Sequence, residues 1–337
     1  MVLTRIAESK RPLIVSHRDP DPDSLGSALG LAAIFDKLGV EPVVAVSQPE
    51  KIDSVMATIP SVERIVSLGP IAEAGSSPER EFDALFAVDT ASSDLFGVDD
   101  VTRDALMRVH PLVNIDHHIT NELYGDVNYI VADAAAAAEI IWILLAMLNI
   151  KISCDGAIAL QAGLVADTLG FQTPNTGPRT LRAAAGLMEL GGTTSDVPRR
   201  VLSGRTYEAT RLLGSALAAM ESAEGGRLVW TKITEDMATT AGVHVDDAQG
   251  IPNALQDIVG AVIIAVFYEI GLDQTRVSLR SHGPRIDEVA AEFGGGGHAL
   301  AAGAGLNQKI DEAADQVLAR LQEALTTGGE VFDDGKV

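Results

Sequence analysis

The sequence predicts an α/β protein: an N-terminal, mostly parallel sheet flanked by helices, followed by a smaller C-terminal α/β domain. Three observations point there. At 337 residues the chain exceeds what one hydrophobic core comfortably organises, so two domains are expected. Its first half alternates apolar runs of strand length with segments of helix length, the pattern of βαβ units. Several of those runs end abruptly in histidine or carboxylate, as when an open sheet delivers chemistry at the carboxyl ends of its strands.

Composition narrows the function. Hydrophobic residues make up 47% and aromatics 4%, so the interior is expected to be Ala, Val, Leu and Ile. A net charge of −22 opposes a protein that tracks along nucleic acid, which needs a basic stripe to release phosphate counterions. An anionic substrate must then be met locally, by metals, a few arginines and backbone N–H groups, and this favours small or short ligands. A solvated surface accounts for most of the acidity. No apolar run reaches membrane-spanning length and the first ten residues lack a secretory core, so a soluble cytoplasmic protein is expected, with no membrane partner. The single cysteine, Cys154, has no internal disulfide partner and reads as a small, partly buried residue near a helix start.

In chain order, residues 13–16 read as a first strand. It leads into His17-Arg18-Asp19-Pro20-Asp21-Pro22-Asp23-Ser24, where two prolines oppose helix and fix an extended loop in which His17, Asp21 and Asp23 can converge. Ser24 is expected to cap a helix bearing Leu25, Leu29, Ala32, Ala33 and Ile34; Gly26 and Gly30 would let it approach the sheet, and Gly39 would end it. Residues 42–46 and 64–68 look like further strands, and 82–88 another with Asp89 at its exit, a position that by itself suits a helix N-cap as well as a ligand. The run 111–115 ends in Asp116-His117-His118, three adjacent residues able to bind or orient a metal. A loop at 120–128 precedes an alanine-rich helix over about 133–148, apolar on most faces and so expected between the sheet and another element, such as a second subunit. The helix over about 155–169 carries Asp167 near its end, where a carboxylate opposes the helix dipole and suggests a counter-cation. A helix at 178–190 closes the first domain.

Residues 191–196 break the chain before a connecting helical segment, about 197–222. Apolar strands at 228–233 and 261–270 open the second domain, and 274–281 sets Val277 and Leu279 against Ser278 and Arg280 as a half-exposed strand does. A short helix, 286–293, runs into Gly294-Gly295-Gly296-Gly297-His298. Four consecutive glycines imply backbone that needs positive φ or close approach to a ligand, and the N–H groups of such a loop would form an anion-binding nest. A final helix at 310–325 precedes a polar tail expected to be disordered. The expected organisation is a catalytic domain at 1–191, a connection at 192–225, a substrate domain at 226–326 and the tail at 327–337.

Together these segments resemble the DHH phosphoesterase superfamily, in family order and over most of the chain. The stretch from His17 to Ser24 with Gly26 and Ser27 looks like the first motif, Val88-Asp89-Thr90 the second, Asp116-His117-His118 the third, and Gly163 to Phe171 around Asp167 the fourth. Arg280-Ser281 and the glycine loop resemble the marks of a DHHA1 domain. Within the superfamily, the length and the Thr120-Asn121 and Gly125-Asp126 surroundings are similar to the NrnA group, which shortens very short RNA, removes the 3′-phosphate of pAp, and hydrolyses cyclic dinucleotides or their linear products. Asp19 stands where many relatives have Asn, and Tyr124 where Phe is frequent; both lie outside the ligand set.

The resemblance implies an active site in a cleft between the two domains, and two divalent ions, Mn²⁺ before Mg²⁺ or Co²⁺. One would be held by His17, Asp21 and Asp89, the other by Asp23, Asp89, His117 and Asp167, with Asp89 shared. Carboxylate and imidazole donors without thiolate suit such ions. Two of them about 3.5–4 Å apart can activate a water and stabilise the oxygens of an in-line displacement at phosphorus. It further implies catalytic parts for Asp89, for Asp116 as orienter of an imidazole, and for His118 as phosphate contact or proton relay. Arg280, Ser281, Gly296, Gly297 and His298 would contact substrate, and relatives are commonly homodimers. Two other readings stay open. A manganese pyrophosphatase shares the first domain, although its family lacks the glycine-histidine loop, and a catalytically silent nucleotide-binding regulator would be expected to lack a ligand that is present here.

Overall fold

In the computed structural model, which describes residues 1–72, 76–245, 248 and 250–327, the apolar runs of the first half become strands. They are β1 (Pro12–Val15), β2 (Val43–Val46), β3 (Ile65–Ser67), β4 (Ala84–Val88), β5 (Leu112–Asp116) and β6 (Val127–Ile130), the last beginning inside the expected loop. All pair in parallel, in the order β3-β2-β1-β4-β5-β6. Helices α1 (Val2–Glu8), α2 (Pro22–Lys37), α3 (Pro78–Glu81), α4 (Asp100–Leu106), α5 (Ala137–Leu148), α6 (Cys154–Asp167), α7 (Pro178–Glu189) and α8 (Val197–Ser203) complete a first unit, Met1–Gly204. Side chains alternate along each strand, so Ile14, Phe86, Val88, Val113 and Ile115 pack with α2, α5 and α6, while Leu13, Val15, Leu85, Ala87 and Leu112 pack with Phe96 and α4. Burial on both faces is why these strands read as unbroken apolar runs.

Several expectations are corrected in this unit. Helix α2 starts at Pro22, not after Ser24: Asp21 is its cap, accepting from the Ser24 N–H at 2.8 Å while Ser24 Oγ accepts from the Asp21 N–H at 3.1 Å. Proline fits the first helical position because its φ is already helical and the N–H it lacks has no partner there. Gly26 and Gly30 bring α2 against α6 rather than the sheet, since a Cβ would lie 2.3 Å from the Ala159 carbonyl oxygen at the first and 2.2 Å from Leu160 Cδ2 at the second. Cys154 is exposed at the start of α6. One face of α5 packs as expected, Ala137, Ile140, Ile141, Leu144 and Leu145 joining a core with the sheet, α2, α6 and α7, while Met147 on another face is exposed.

The second unit, from Arg205, holds α9 (Tyr207–Ala218), β7 (Glu221–Ala223), β8 (Leu228–Ile233), α10 (Glu235–Ala241), α11 (Ile251–Gln256), β9 (Ile263–Gly271), β10 (Gln274–Ser281), α12 (Asp287–Glu292), β11 (Gly296–His298), β12 (Ala301–Leu306) and α13 (Ile310–Thr327). Its sheet runs β11-β12-β10-β9-β8-β7, antiparallel except for the β8–β9 pair. Helices α12 and α13 cover one face, and α9, α10 and α11 the other. The expected connecting helix is thus two helices parted after Ser203, with α8 in the first unit and α9 in the second. The expected glycine loop is an edge hairpin of β11 and β12; alanine and glycine are poor strand formers, and the sequence pattern did not mark them. The expected tail beyond 327 lies outside the described residues. No helix among the described residues is long and apolar enough to cross a membrane.

Candidate active site

The strand order reverses between β1 and β4, and in open parallel sheets ligands bind beyond the carboxyl ends of strands at such a point. His17 follows the end of β1, Asp89 follows β4 and His117 follows β5. Asp89 adopts φ +54°, a left-handed conformation costly for a residue with a side chain. Its carboxylate is 3% exposed, and Oδ1 has no hydrogen-bond partner. That oxygen lies 3.4 Å from His117 Nε2, and Oδ2 lies 3.6 Å from His17 Nε2. His17 Nε2 is also 3.5 Å from Asp21 Oδ2, and His117 Nε2 3.5 Å from Asp167 Oδ2. Such gaps are too long for good hydrogen bonds between nitrogen and oxygen, and they are the spacing of neighbouring donors around one cation with ligand distances of about 2.0–2.2 Å. A buried carboxylate with one orphaned oxygen, each of its oxygens facing an imidazole, therefore fits a bound metal.

Three overlapping groups place their donor atoms within 4.8 Å of one another: His17, Asp21 and Asp89; Asp23, His117 and Asp167; and Asp89, Asp116, His117 and His118. The first two contain the six expected ligands. The third is better understood as support, because the Asp116 carboxylate is already engaged. Its Oδ1 accepts from the His117 N–H at 2.8 Å and faces His118 Nδ1 at 2.7 Å, while Oδ2 accepts from Asn121 Nδ2 at 2.6 Å. With Nδ1–H committed to Asp116, His118 has only Nε2 to offer, and the side chain is 46% exposed. His117 is oriented in the same way, with Nδ1 3.3 Å from the Ala134 carbonyl and Nε2 left for the cluster.

Asp23 is held differently. It is 1% exposed, and its oxygens accept from the Ala137 and Ala138 N–H groups, at 2.6 and 3.0 Å, at the start of α5. Ser27 Oγ adds a third contact at 3.2 Å. The positive end of a helix dipole thus faces this carboxylate. Asp167 ends α6 as expected, and Gly163 one turn earlier lets α6 pass close to Asp23.

Crowded acids and imidazoles shift one another. Burial raises Asp23 to about 7, with the Asp89 charge adding to it, and burial raises Asp167 to about 9, with Asp23 and Asp89 adding. For His17 and His117 burial works downward, but the carboxylates around them prevail and push both up to about 10. Burial also presses Asp89 upward, yet the flanking His117 and His17 outweigh it and hold that carboxyl far below its usual range. Without a cation, protons supply the positive charge this cluster requires.

In the second unit, register aligns the remaining expected contacts. Arg280 pairs with Ala301, and Ala301 with His298; Ser278 pairs with Gly303, and Gly303 with Gly296. Directly paired residues share a face, so Arg280, Ser278 and His298 stand over a floor of Gly296, Gly303 and Ala301. The glycine run has a local cause. Gly294 and Gly297 have φ of +75° and +144°, and a Cβ on Gly295 would lie 2.1 Å from the Gly303 carbonyl oxygen. Ser281 is not brought to this face. Alternation turns it the other way, where it is buried and its Oγ accepts from the Gly283 N–H at 3.1 Å.

Sequence reasoning missed the supports. Buried Asn114 donates to the Thr90 carbonyl at 3.0 Å, Tyr124 Oη donates to the same oxygen at 3.0 Å, and Asn121 bridges Asn114 Oδ1, at 2.8 Å, to Asp116. This network ties the Asp89 turn to the Asp116 strand end. An asparagine in the middle of an apolar strand was the available signal. Asp19 instead pairs with Lys51 and Arg18.

Comparison with known proteins follows the same outline. A model of the N-terminal domain of the DHH family matches residues 11–165, and a DHHA1 domain model matches 230–327. The bifunctional oligoribonuclease and PAP phosphatase NrnA of Thermus thermophilus is 30% identical, over 94% of this chain and 90% of its own length. A cyclic-di-AMP phosphodiesterase, GdpP of Geobacillus thermodenitrificans, is 26% identical over 98% of this chain and 49% of its own length. Among solved structures, an exopolyphosphatase-related protein from Bacteroides fragilis covers 96% of each chain with a TM-score of 0.84 and 22% identity, which establishes a shared fold.

Proposed function

The chain belongs to the DHH family, with a DHHA1 domain after the catalytic one, and from that premise we propose that it is a metal-dependent hydrolase of phosphoester bonds in short nucleotides. The substrates proposed are very short oligoribonucleotides and the 3′-phosphate of pAp, with cyclic di-AMP or pApA as further candidates from the likeness to GdpP. The observation that carries this reading is the buried, unpartnered Asp89 oxygen among imidazole and carboxylate donors at the switch point.

His17, Asp21 and Asp89 would hold one divalent ion and Asp23, Asp89, His117 and Asp167 a second. Oxygen and imidazole donors without thiolate favour Mn²⁺. Such ions, when bound, supply Lewis-acid activation of a water and of the phosphoryl oxygens. Asp116 fixes the His118 tautomer through Nδ1, and that hydrogen bond, with the carboxylate charge adding to it, raises the affinity of the imidazole for a second proton against the effect of burial. A protonated His118 is therefore available to donate from Nε2 to a leaving oxygen or to pair with a phosphate. Arg280, His298, Gly296 and Gly297 would bind the remaining phosphate charge, the arginine through its planar fork.

The test is hydrolysis with Mn²⁺ of pAp, di- to pentanucleotides, pApA and cyclic di-AMP, with inorganic pyrophosphate as the competing substrate. Asp89→Ala and His117→Ala are expected to abolish turnover while circular dichroism shows the fold retained. Turnover surviving either change, or pyrophosphate outpacing every nucleotide, would overturn the proposal.

A further inference from the structure

The centre is aimed in part by backbone. The first turn of α5 supplies the Ala137 and Ala138 N–H groups that hold Asp23, at 2.6 and 3.0 Å, and the segment leading into it from β6 supplies the Ala134 carbonyl that faces His117 Nδ1 at 3.3 Å. Backbone groups are only as well placed as the chain that carries them. This chain enters α5 through Ala136, whose side chain cannot cap a helix. Its restraint comes from two residues outside the cluster. Glu139, 0% exposed, folds back so that Oε2 accepts from the Ala135 N–H at 3.1 Å and from Thr180 Oγ1 at 2.8 Å, while Oε1 accepts from Arg179 Nε. The other arm of Arg179 reaches Asp133, donating from Nη2 to its carbonyl at 2.8 Å and from Nη1 to its carboxylate at 3.2 Å. One planar fork therefore spans the segment from Asp133 to Glu139, and Arg179 itself is fixed at the start of α7.

We propose that Arg179 and Glu139 are positioning residues for the metal centre, clamping residues 133–139 so that three backbone groups aim Asp23 and His117. The inference rests on the proposed function in taking those two side chains as metal ligands. An ion pair that merely packed α7 onto α5 would need only one arm of the arginine. The arm turned to the Asp133 carbonyl restrains the connecting segment instead.

The combined change Arg179→Met with Glu139→Gln removes the clamp without stranding a buried charge, and the amide can still accept from Ala135 and Thr180. It is compared with Leu187→Ala, which opens the core that α7 shares with α5 and changes neither residue of the clamp. Calorimetric Mn²⁺ titration is expected to show the double variant weakened about tenfold or more, the scale on which outer partners of a ligand act. Leu187→Ala should bind within about twofold of wild type while losing at least as much thermal stability. In the metal-free protein, the Ala137 and Ala138 amides of the double variant should exchange faster with solvent. Unchanged Mn²⁺ affinity and exchange in the double variant, or equal weakening by Leu187→Ala, overturns the positioning role alone. Wild-type protein that binds no Mn²⁺ overturns the proposed function and this role with it.

Discussion

Gly163→Ala separates the geometry of the centre from the stability of the fold. A Cβ at Gly163 would lie 2.7 Å from Asp23 Oδ1, 2.9 Å from Asp23 Cα and 3.2 Å from the Pro22 carbonyl oxygen. Ordinary carbon–oxygen contact is nearer 3.4 Å, so α6 or the first turn of α2 must give by several tenths of an ångström. Overpacking of this kind costs about 1–3 kcal/mol, but alanine gains about 1 kcal/mol over glycine inside a helix, leaving a net loss of roughly 0–2 kcal/mol. The displaced atoms belong to Asp23, which sits between the α5 amides and the group formed with His117 and Asp167. Misplacement approaching 1 Å can cost about 100-fold in rate, so kcat/KM for pAp should fall by roughly one to two orders of magnitude while the protein stays folded. Urea denaturation, Mn²⁺ titration and pAp hydrolysis on one preparation measure all three. Wild-type Mn²⁺ affinity and rate in this variant, or an activity loss no greater than its unfolded fraction, would refute the close approach of α6 as the reason Asp23 is in place.

Two further outcomes are expected. Asp23, Asp167, His17 and His117 all bind protons more tightly when folded, at about 7, 9, 10 and 10, than in an unfolded chain, so the stability they give the metal-free protein is largest at low pH and is lost as pH rises through those values. Asp89 acts oppositely, its contribution vanishing only in acid. The melting temperature in chelator should therefore fall between about pH 6 and 9, and Mn²⁺ should remove most of that fall by replacing the protons; a flat or rising metal-free profile would contradict it. In the second unit, Gly297→Ala sets a Cβ 2.5 Å from the Ala301 carbonyl oxygen at φ +144° and should disrupt the β11–β12 pairing that aligns His298 with Arg280. KM for pAp should rise about tenfold with Mn²⁺ affinity unchanged, and an unchanged KM would detach that hairpin from substrate binding.

The sequence by itself determined the parallel sheet and the chemistry at its strand ends. Strands buried on both faces must be continuous apolar runs, and His17, Asp89 and Asp116-His117-His118 interrupt those runs where the chain leaves the sheet. These are local signals, readable within a few residues. Tertiary structure alone decided what depended on partners far away in the chain. Pro22 and Asp21 looked like loop because the capping role of Asp21 shows only once the first turn of α2 exists. Gly26 and Gly163 are glycine because α2 and α6, more than a hundred residues apart, cross at backbone contact. Glu139 is the one charged residue between Ala134 and Leu148, which marks it as unusual, but not as one end of a clamp to Arg179. The strand character of Gly296 to His298 was hidden too, because residues with little intrinsic preference for a strand take it from the neighbour they pair with.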